Sequence, residues 1–392
     1  MLHAAAIASL LLASSPLPAK AAYDLVKDHS GQTFFDGWEF YGHYDNLTNG
    51  DVNFVNQSAS SPLAYINEAG NAVIKVSQEE VLYPNKRDSV RIQTEAAYDI
   101  GSVWTFDVAH VPSGCSVWGA LWSQGLNWPQ GGEIDTFETV NLMEYNQMAL
   151  HTTADCKAEN SSSSVEYTAQ LLGDNCDKDV NFNAGCNALD SSKTSAGQAL
   201  AANGGGMWAT EYASTGIKIW HFERSAVPSE LSSNASSIDP TSWGTPTYFV
   251  PSSSCNTESH FAAQHLVIDI TLCGDWAGSN ATLEATGCAL TTQPLCYTQY
   301  VLNASNYDNA FFELPSVRVY QDPTLSHSTS VSNTSTSSTP STGSNSKNSS
   351  SGTGTNSNNN SSSGTNGSVS RSTNVLAMIA TGLAAVGWSL LA

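Results

Sequence analysis

Charge is what this chain has least of. Only 12% of its 392 residues are Asp, Glu, Lys or Arg, about half the usual share. Positive charge is the scarcer kind, with 14 basic residues against 35 acidic ones and a formal net charge of −21. So acidic a surface repels phosphate backbones, which argues against a nucleic-acid partner. No long segment repeats apolar residues at 3.6 spacing, so a helical bundle is excluded. No two cysteines have CxxC spacing, which argues against a zinc site. What the chain does have is Gly, Ser, Thr and Asn in plenty, with 10 Trp, 14 Tyr and 12 Phe. That mixture suits a hydrogen-bonding, aromatic surface for an uncharged ligand. A hydrophobic content of 40% is enough to fill a core, so the chain is not disordered throughout.

The two ends read as processing signals. Residues 1–21 contain an apolar stretch from Ala4 to Ala13, then Ser14, Ser15, Pro16 and Pro18, then Ala19-Lys20-Ala21. Small residues at positions 19 and 21 predict a secretory signal cleaved after Ala21, with a short buried helix as the alternative. Residues 322–374 hold 44 Ser, Thr, Asn or Gly among 53, with no Phe, Trp or Tyr. They cannot bury enough apolar surface to offset chain entropy, which predicts a disordered, glycosylated stalk. Residues 375–392 are apolar and uncharged, with no basic residue after them. Such a tail fits a glycosylphosphatidylinositol signal, attached between Ser362 and Gly367, better than a transmembrane helix. The expected location is the cell surface, held to the membrane only by the lipid.

All eight cysteines (Cys115, Cys156, Cys176, Cys186, Cys255, Cys273, Cys288 and Cys296) lie between these ends. An even number on a secretory route predicts disulfides, but eight cysteines allow 105 pairings and the sequence does not choose among them. Glycosylation sequons at Asn46, Asn160, Asn234, Asn280 and Asn303 agree with export.

Residues 22–321 show no obvious linker or repeat, and a two-residue alternation recurs along them. Val90 to Glu95 separates cleanly into apolar and polar sides. Trp104, Phe106 and Val108 share one side of a strand, and Trp118, Ala120 and Trp122 share a side of another. Ile217 and Ile219 alternate with Lys218 and Trp220, and Ile268 with Asp269. The stretch from Asp155 to Gly206 looks like long loops held by disulfides. The expectation is one all-β domain, an antiparallel β-sandwich with elaborate loops.

The sharpest local feature is Gly131-Gly132-Glu133-Ile134-Asp135-Thr136-Phe137-Glu138. On a helix, Glu133, Asp135 and Glu138 would fall near 0°, about 200° and about 140°, and cannot converge. On a regular strand Glu133 and Asp135 share a face and Glu138 points to the other. One β-bulge, at Thr136 or Phe137, returns Glu138 to the same face. The end residues are then roughly four strand steps apart, about 13 Å between backbones, which only long side chains can span. That suits retaining glycoside hydrolysis, which needs a nucleophile and an acid/base about 5–5.5 Å apart. Asp135 between them can fix one Glu, while like-charge crowding raises the pKa of the acid. A solvated acidic strand and a calcium site remain the alternatives, although a calcium loop normally brings Asn, Asp and Gly at alternating positions.

This strand, with Trp118-Gly119-Ala120-Leu121-Trp122 and Asn127-Trp128-Pro129 before it, resembles the signature of glycoside hydrolase family 16. It looks most like the fungal laminarinase-type endo-β-1,3(4)-glucanases, whose motif is Glu-x-Asp-x-x-Glu. Further matches run through Tyr44-Asp45-Asn46, Arg87-Asp88-Ser89-Val90-Arg91-Ile92, Asn146-Gln147-Met148, Leu150-His151-Thr152 and Cys273-Gly274-Asp275-Trp276. The resemblance implies Glu133 as nucleophile, Glu138 as acid/base and Asp135 as the assisting carboxylate. It also implies a concanavalin-like jelly-roll sandwich with a substrate cleft across its concave sheet. Thr136, Phe137 and Thr139 stand where the family more usually has aliphatics and Gly.

Sugar rings stack flat C–H faces on Trp, and Trp128 and Trp276, both in turn-like surroundings, are the best platform candidates. Trp118 is a further substrate-binding candidate, although at least one of Trp118 and Trp122 is expected in the core. Trp38, Trp104, Trp208, Trp220 and Trp243 are assigned to packing. His151, four residues after Gln147 on the presumed adjacent strand, is placed beside the acids or in a structural role. No cofactor or metal is assigned, and the chain is expected to be monomeric. The leading expectation is a retaining endo-β-glucanase acting on β-1,3 or mixed β-1,3-1,4 glucan. Two alternatives stand beside it: a wall-remodelling transglycosylase using the same site, and a lectin-like wall protein that only binds glucan. The family's chitin–glucan crosslinking members carry a motif one residue shorter, so the spacing here favours hydrolysis.

Overall fold

A computed structural model describes residues 23–233 and 235–327. The expected signal peptide, the Asn234 sequon, nearly all of the stalk and the apolar tail lie outside the described residues. Two antiparallel sheets are stacked as a jelly-roll sandwich. The eight-stranded sheet runs, edge to edge, through Gln170–Gly173, Cys186–Leu189, Gln147–His151, Glu133–Val140, Val117–Gly125, Gln264–Leu272, Arg91–Thr94 and Trp38–Phe40. The seven-stranded sheet runs through Ser237–Ile238, Tyr23–Ser30, Ser316–Gln321, Ser102–Val108, Gly206–Ala213, Gly216–Glu223 and Tyr248–Pro251. The last of these strands along the chain ends at Gln321.

The alternation seen in the sequence has a direct physical outcome. Ile92, Leu121, Ile134, Leu150 and Ile268 from the eight-stranded sheet meet Trp104, Phe106, Trp208, Ile219 and Val319 from the other in one buried core. Phe137 sits edge-on against Trp208, with ring centroids 5.1 Å apart, and also touches Phe312. Deleting a fully buried ring of this kind costs about 3–5 kcal/mol. A second, smaller core lies on the outside of the seven-stranded sheet. There Tyr23, Val103, Met207, Ala209, Trp220, Ile238 and Tyr320 from the sheet cluster with Leu231 and Trp243 from the segments that follow Gly216–Glu223. All five tryptophans assigned to packing are buried.

Two expectations need correction. Residues 155–206 are not loops alone: they add the edge strand Gln170–Gly173, its neighbour Cys186–Leu189 and a short helix, Gly197–Ala202. Their polar composition hid them because only one face of these strands meets the core. Neither Trp118 nor Trp122 is in the core. Both stand half-buried on the open face, since the core side of that strand is taken by Val117, Gly119 and Leu121.

The cysteines form four disulfides, Cys115–Cys288, Cys156–Cys255, Cys176–Cys186 and Cys273–Cys296. Each ties a loop to the sandwich or to another loop. Constraining the unfolded chain in this way is commonly worth about 2–4 kcal/mol per bridge.

Candidate active site

The strand register contains the bulge on which convergence of the acids depends. Against Val117–Gly125, Asp135 pairs with Trp122 and Phe137 with the very next residue, Leu121, so Thr136 is the extra residue. Against Gln147–His151, Asp135 pairs with Ala149 and Glu138 with Gln147, leaving Thr136 and Phe137 opposite Met148 alone. Thr136 and Phe137 both turn into the sandwich, where Thr136 Oγ1 lies 2.7 Å from Thr210 Oγ1 on the facing sheet. Glu133, Asp135 and Glu138 therefore all project from the open face.

The approach to this strand is set by glycine. A Cβ on Gly131 would lie 2.4 Å from the Leu126 carbonyl oxygen, and one on Gly132 (φ +69°) would lie 2.2 Å from the Phe261 ring. Only a chain without side chains there can turn back so closely and deliver Glu133 to the first rung of the ladder.

Around the acids the donors are specific. The Trp118 indole N–H donates to Glu138 Oε1 at 2.7 Å. His151 Nε2 lies 3.2 Å from Asp135 Oδ2 and 3.9 Å from Glu133 Oε1. Its other nitrogen, Nδ1, faces Asn183 Oδ1 at 3.0 Å. Two carboxylates on one side of the ring favour the protonated imidazole. Electrostatics agree: burial alone would lower the His151 pKa, but Asp135, Glu133 and Glu138 outweigh it and raise it to about 10. Burial, and then the charge of Asp135, push both Glu133 and Glu138 well above the usual carboxylate range. His151, and then Trp128, pull Glu133 part of the way back, and Trp118 and then His151 do the same for Glu138.

Glu133, Asp135 and His151 also bring three potential metal donors within 4.8 Å of one another. The other candidate trio, Cys156, Cys176 and Cys255, is consumed by disulfides.

The aromatic candidates gather at the same place. Trp128 is 39% exposed in the turn that leads into Glu133. Trp276, on the short helix Gly274–Ala277, packs edge-on against Trp118 with centroids 5.6 Å apart. Asn46, Asn160, Asn280 and Asn303 are exposed, and Asn46 accepts a hydrogen bond from the Tyr41 hydroxyl at 2.7 Å.

Part of the face was not singled out from the sequence. On the strands beyond the acids, Arg91 pairs with Asp269 at 2.9 Å, and the Trp122 indole N–H donates to the other Asp269 oxygen at 3.1 Å. The Arg91 guanidinium lies between two rings, 4.8 Å from Trp122 and 5.4 Å from Tyr41. The signal was present as the polar side of alternating strands: Arg91 between Val90 and Ile92, and Asp269 between Ile268 and Ile270. What was missing was the strand order that makes them neighbours.

Residues 38–320 match the family model described as XgeA-like, catalytic GH16 domain. The chain is 36% identical over 302 residues to a probable glycosidase of Schizosaccharomyces pombe, covering 76% of this chain and 69% of that protein. It is likewise 36% identical over 326 residues to a probable endo-1,3(4)-beta-glucanase of Aspergillus fumigatus, covering 80% of this chain. There it spans about half of the relative, 48% of its length. Among solved structures it is similar to laminarinase 16A of Phanerochaete chrysosporium, captured with beta-glucans in donor and acceptor sites (34% identity, TM-score 0.71, 76% of this chain and 99% of that one). It is also similar to an elongating family 16 beta-1,3-glucosyltransferase (31% identity, TM-score 0.69, 76% of this chain and 100% of that one). Matching the family model over most of its length, with the fold to go with it, the chain belongs to glycoside hydrolase family 16.

Proposed function

We propose that the protein is a retaining endo-β-glucanase that cleaves β-1,3 or mixed β-1,3-1,4 glucan, with Glu133 as nucleophile and Glu138 as acid/base. The observation that carries this reading is the bulge at Thr136, which puts both glutamates on one open face. In the first step the Glu133 carboxylate forms a bond to the anomeric carbon while the glycosidic C–O bond breaks. Glu138 gives its proton to the departing oxygen. In the second step water attacks the same carbon, Glu138 takes the water's proton, and the bond to Glu133 breaks. Two inversions leave the anomeric configuration unchanged.

The roles follow from environment. Glu138 must begin protonated, and burial with Asp135 nearby raises its pKa. Glu133 must begin ionised, and the His151 cation 3.9 Å away favours that form. Asp135, held against His151, keeps that cation in place. Stacking on sugar rings is assigned to Trp128, in the turn before Glu133, and to Trp276, which packs against Trp118.

The test is hydrolysis of laminarin and lichenan by the wild-type chain and by Glu133→Gln and Glu138→Gln. Retention of configuration is read by NMR of the first-formed product. Undiminished activity in either variant removes that assignment. A second reading, transfer to another sugar in place of water, is favoured by the similarity to the elongating glucosyltransferase. Products longer than the starting oligosaccharide would establish it. As for location, we infer a secreted, monomeric glycoprotein held at the cell surface by a lipid anchor. Release by a phosphatidylinositol-specific phospholipase tests the anchor.

A further inference from the structure

A bulge that turns one glutamate also breaks the ladder that should hold it. Where the register jumps from Asp135↔Ala149 to Glu138↔Gln147, the strand keeps an N–H and a C=O with no matching rung. Buried backbone groups left unpaired cost about 1–3 kcal/mol each, so something must satisfy them. Here it is one side chain. Asn146 Oδ1 accepts from the Glu138 N–H at 2.9 Å, and Asn146 Nδ2 donates to the Thr136 carbonyl at 3.1 Å.

Asn146 is fully buried and is itself fixed through its backbone. Its N–H donates to Ser195 Oγ at 3.0 Å, and its carbonyl accepts from the Asp190 N–H at 2.9 Å. It immediately precedes the neighbouring strand Gln147–His151, so it reaches the gap at the strand's entry. From below, the Thr136–Thr210 hydroxyl contact pins the same kink.

We propose that Asn146 is the positioning residue for Glu138: its carboxamide replaces the missing rungs and so sets the direction in which the acid/base points. The proposal rests on the glucanase reading above. Asn146 does not touch the open face, and its effect passes through the backbone of Glu138. The other two acids precede the kink and are paired on both sides, Glu133 with Gln124 and His151, and Asp135 with Trp122 and Ala149. Loss of Asn146 is therefore selective for Glu138 and leaves Glu133 as nucleophile.

That selectivity gives a readout that a general loss of structure would not produce. Laminarin has a poor leaving group and needs Glu138 as acid. A 2,4-dinitrophenyl β-laminaribioside does not, and azide can then displace Glu133 from the anomeric carbon without base assistance, giving a β-glycosyl azide. In Asn146→Ala, kcat on laminarin is expected to fall about 10–100-fold, with KM within about twofold. On the dinitrophenyl glycoside with azide the loss should shrink to about threefold or less, as it should for Glu138→Gln. Asn146→Asp keeps the volume and the acceptor toward the Glu138 N–H but turns an oxygen toward the Thr136 carbonyl. It should show the same pattern, and it decides the matter if the alanine variant does not fold. Unchanged laminarin activity, or equal losses on both substrates, overturns the proposal and leaves the glucanase reading intact. A wild-type chain that cleaves neither substrate, or a fully active Glu138→Gln, overturns that reading and the proposal with it.

Discussion

The seven-stranded sheet and the acid-bearing strand of the other sheet use charge in opposite ways. On the seven-stranded sheet, charges of opposite sign face each other: Lys218 meets Glu211 at 2.8 Å directly across two strands, Arg318 meets Asp28 at 3.2 Å, and Arg224 meets Asp107. Cross-strand pairs of this kind are the ordinary small stabilisers of a sheet. On the open face of the eight-stranded sheet, three carboxylates share one strand and the nearest cation is a histidine. That crowding costs stability, and in exchange it holds protons at carboxylates that would otherwise have lost them near neutral pH. Charge is matched on the supporting sheet, as it is at the Arg91–Asp269 pair beside the acids, and mismatched only along the strand that carries Glu133, Asp135 and Glu138.

The comparison predicts the largest effect directly. Glu133→Gln should lower kcat on laminarin by about a thousandfold or more, as expected when a carboxylate essential to both steps is lost. Glu211→Gln, which removes a carboxylate from the supporting sheet, should leave kcat within about twofold, as expected of a group that contacts no substrate. A comparable loss in both variants, measured on protein shown to be folded, would erase the distinction between the sheets.

His151 tests the working face more finely. Its positive charge lowers the pKa of Glu133, so His151→Gln should push Glu133 further up. The acid limb of the kcat/KM profile, which on the proposed mechanism reports ionisation of Glu133, should then move to higher pH by about one unit or more. An acid limb that does not move would mean that the histidine is structural and has no electrostatic role.

The fold and the acids were legible in the sequence for the same reason. Alternation such as Ile134 inward with Glu133 and Asp135 outward is written in consecutive residues, and the odd spacing to Glu138 required a bulge. The position of that bulge needed the register: Thr136 is the extra residue because Leu121 and Trp122 are successive partners of Phe137 and Asp135. The Arg91–Asp269–Trp122 cluster was hidden because its members are far apart in sequence and meet only through strand order. Asn183 was hidden as well. It reaches His151 from the loop closed by Cys176–Cys186, inside a run of three residues with positive φ, Asn181 to Asn183. Composition showed a disulfide-held loop there and nothing of its aim.

Crowded carboxylates also leave a mark on stability. The pKa of Glu138 in the fold is raised above the ordinary Glu value near 4.3, so the folded chain holds this proton more tightly than the unfolded one. Its contribution is therefore fully present at low pH and is lost as pH rises through the folded value. Gln carries no charge at any pH and still offers an oxygen to the Trp118 N–H. Glu138→Gln should consequently unfold near the wild-type temperature at pH 4 and at a higher temperature than wild type at pH 8. Thermal scans at the two pH values decide it. A variant less stable than wild type at pH 8 would show that the site does not strain the fold.

The supporting sheet should give the smallest effect, and with a different signature. Lys218 is about a third exposed, 30% by its side chain, so solvent and salt screen its attraction to Glu211. Replacing it with Met keeps an unbranched apolar side chain and removes the ammonium, together with its attraction to the Trp220 and Phe249 rings, whose centroids lie 5.9 and 5.5 Å from Nζ. The expected cost is below about 1 kcal/mol, shrinking further in high salt. Glu211 would not be stranded, because the Tyr23 hydroxyl still donates to its other oxygen at 2.9 Å. Denaturant unfolding of Lys218→Met at low and high salt measures both the cost and its screening, with glucan hydrolysis unchanged throughout. A loss of several kcal/mol, insensitive to salt, would mean that the fold depends on charge in this sheet as heavily as catalysis depends on it in the other.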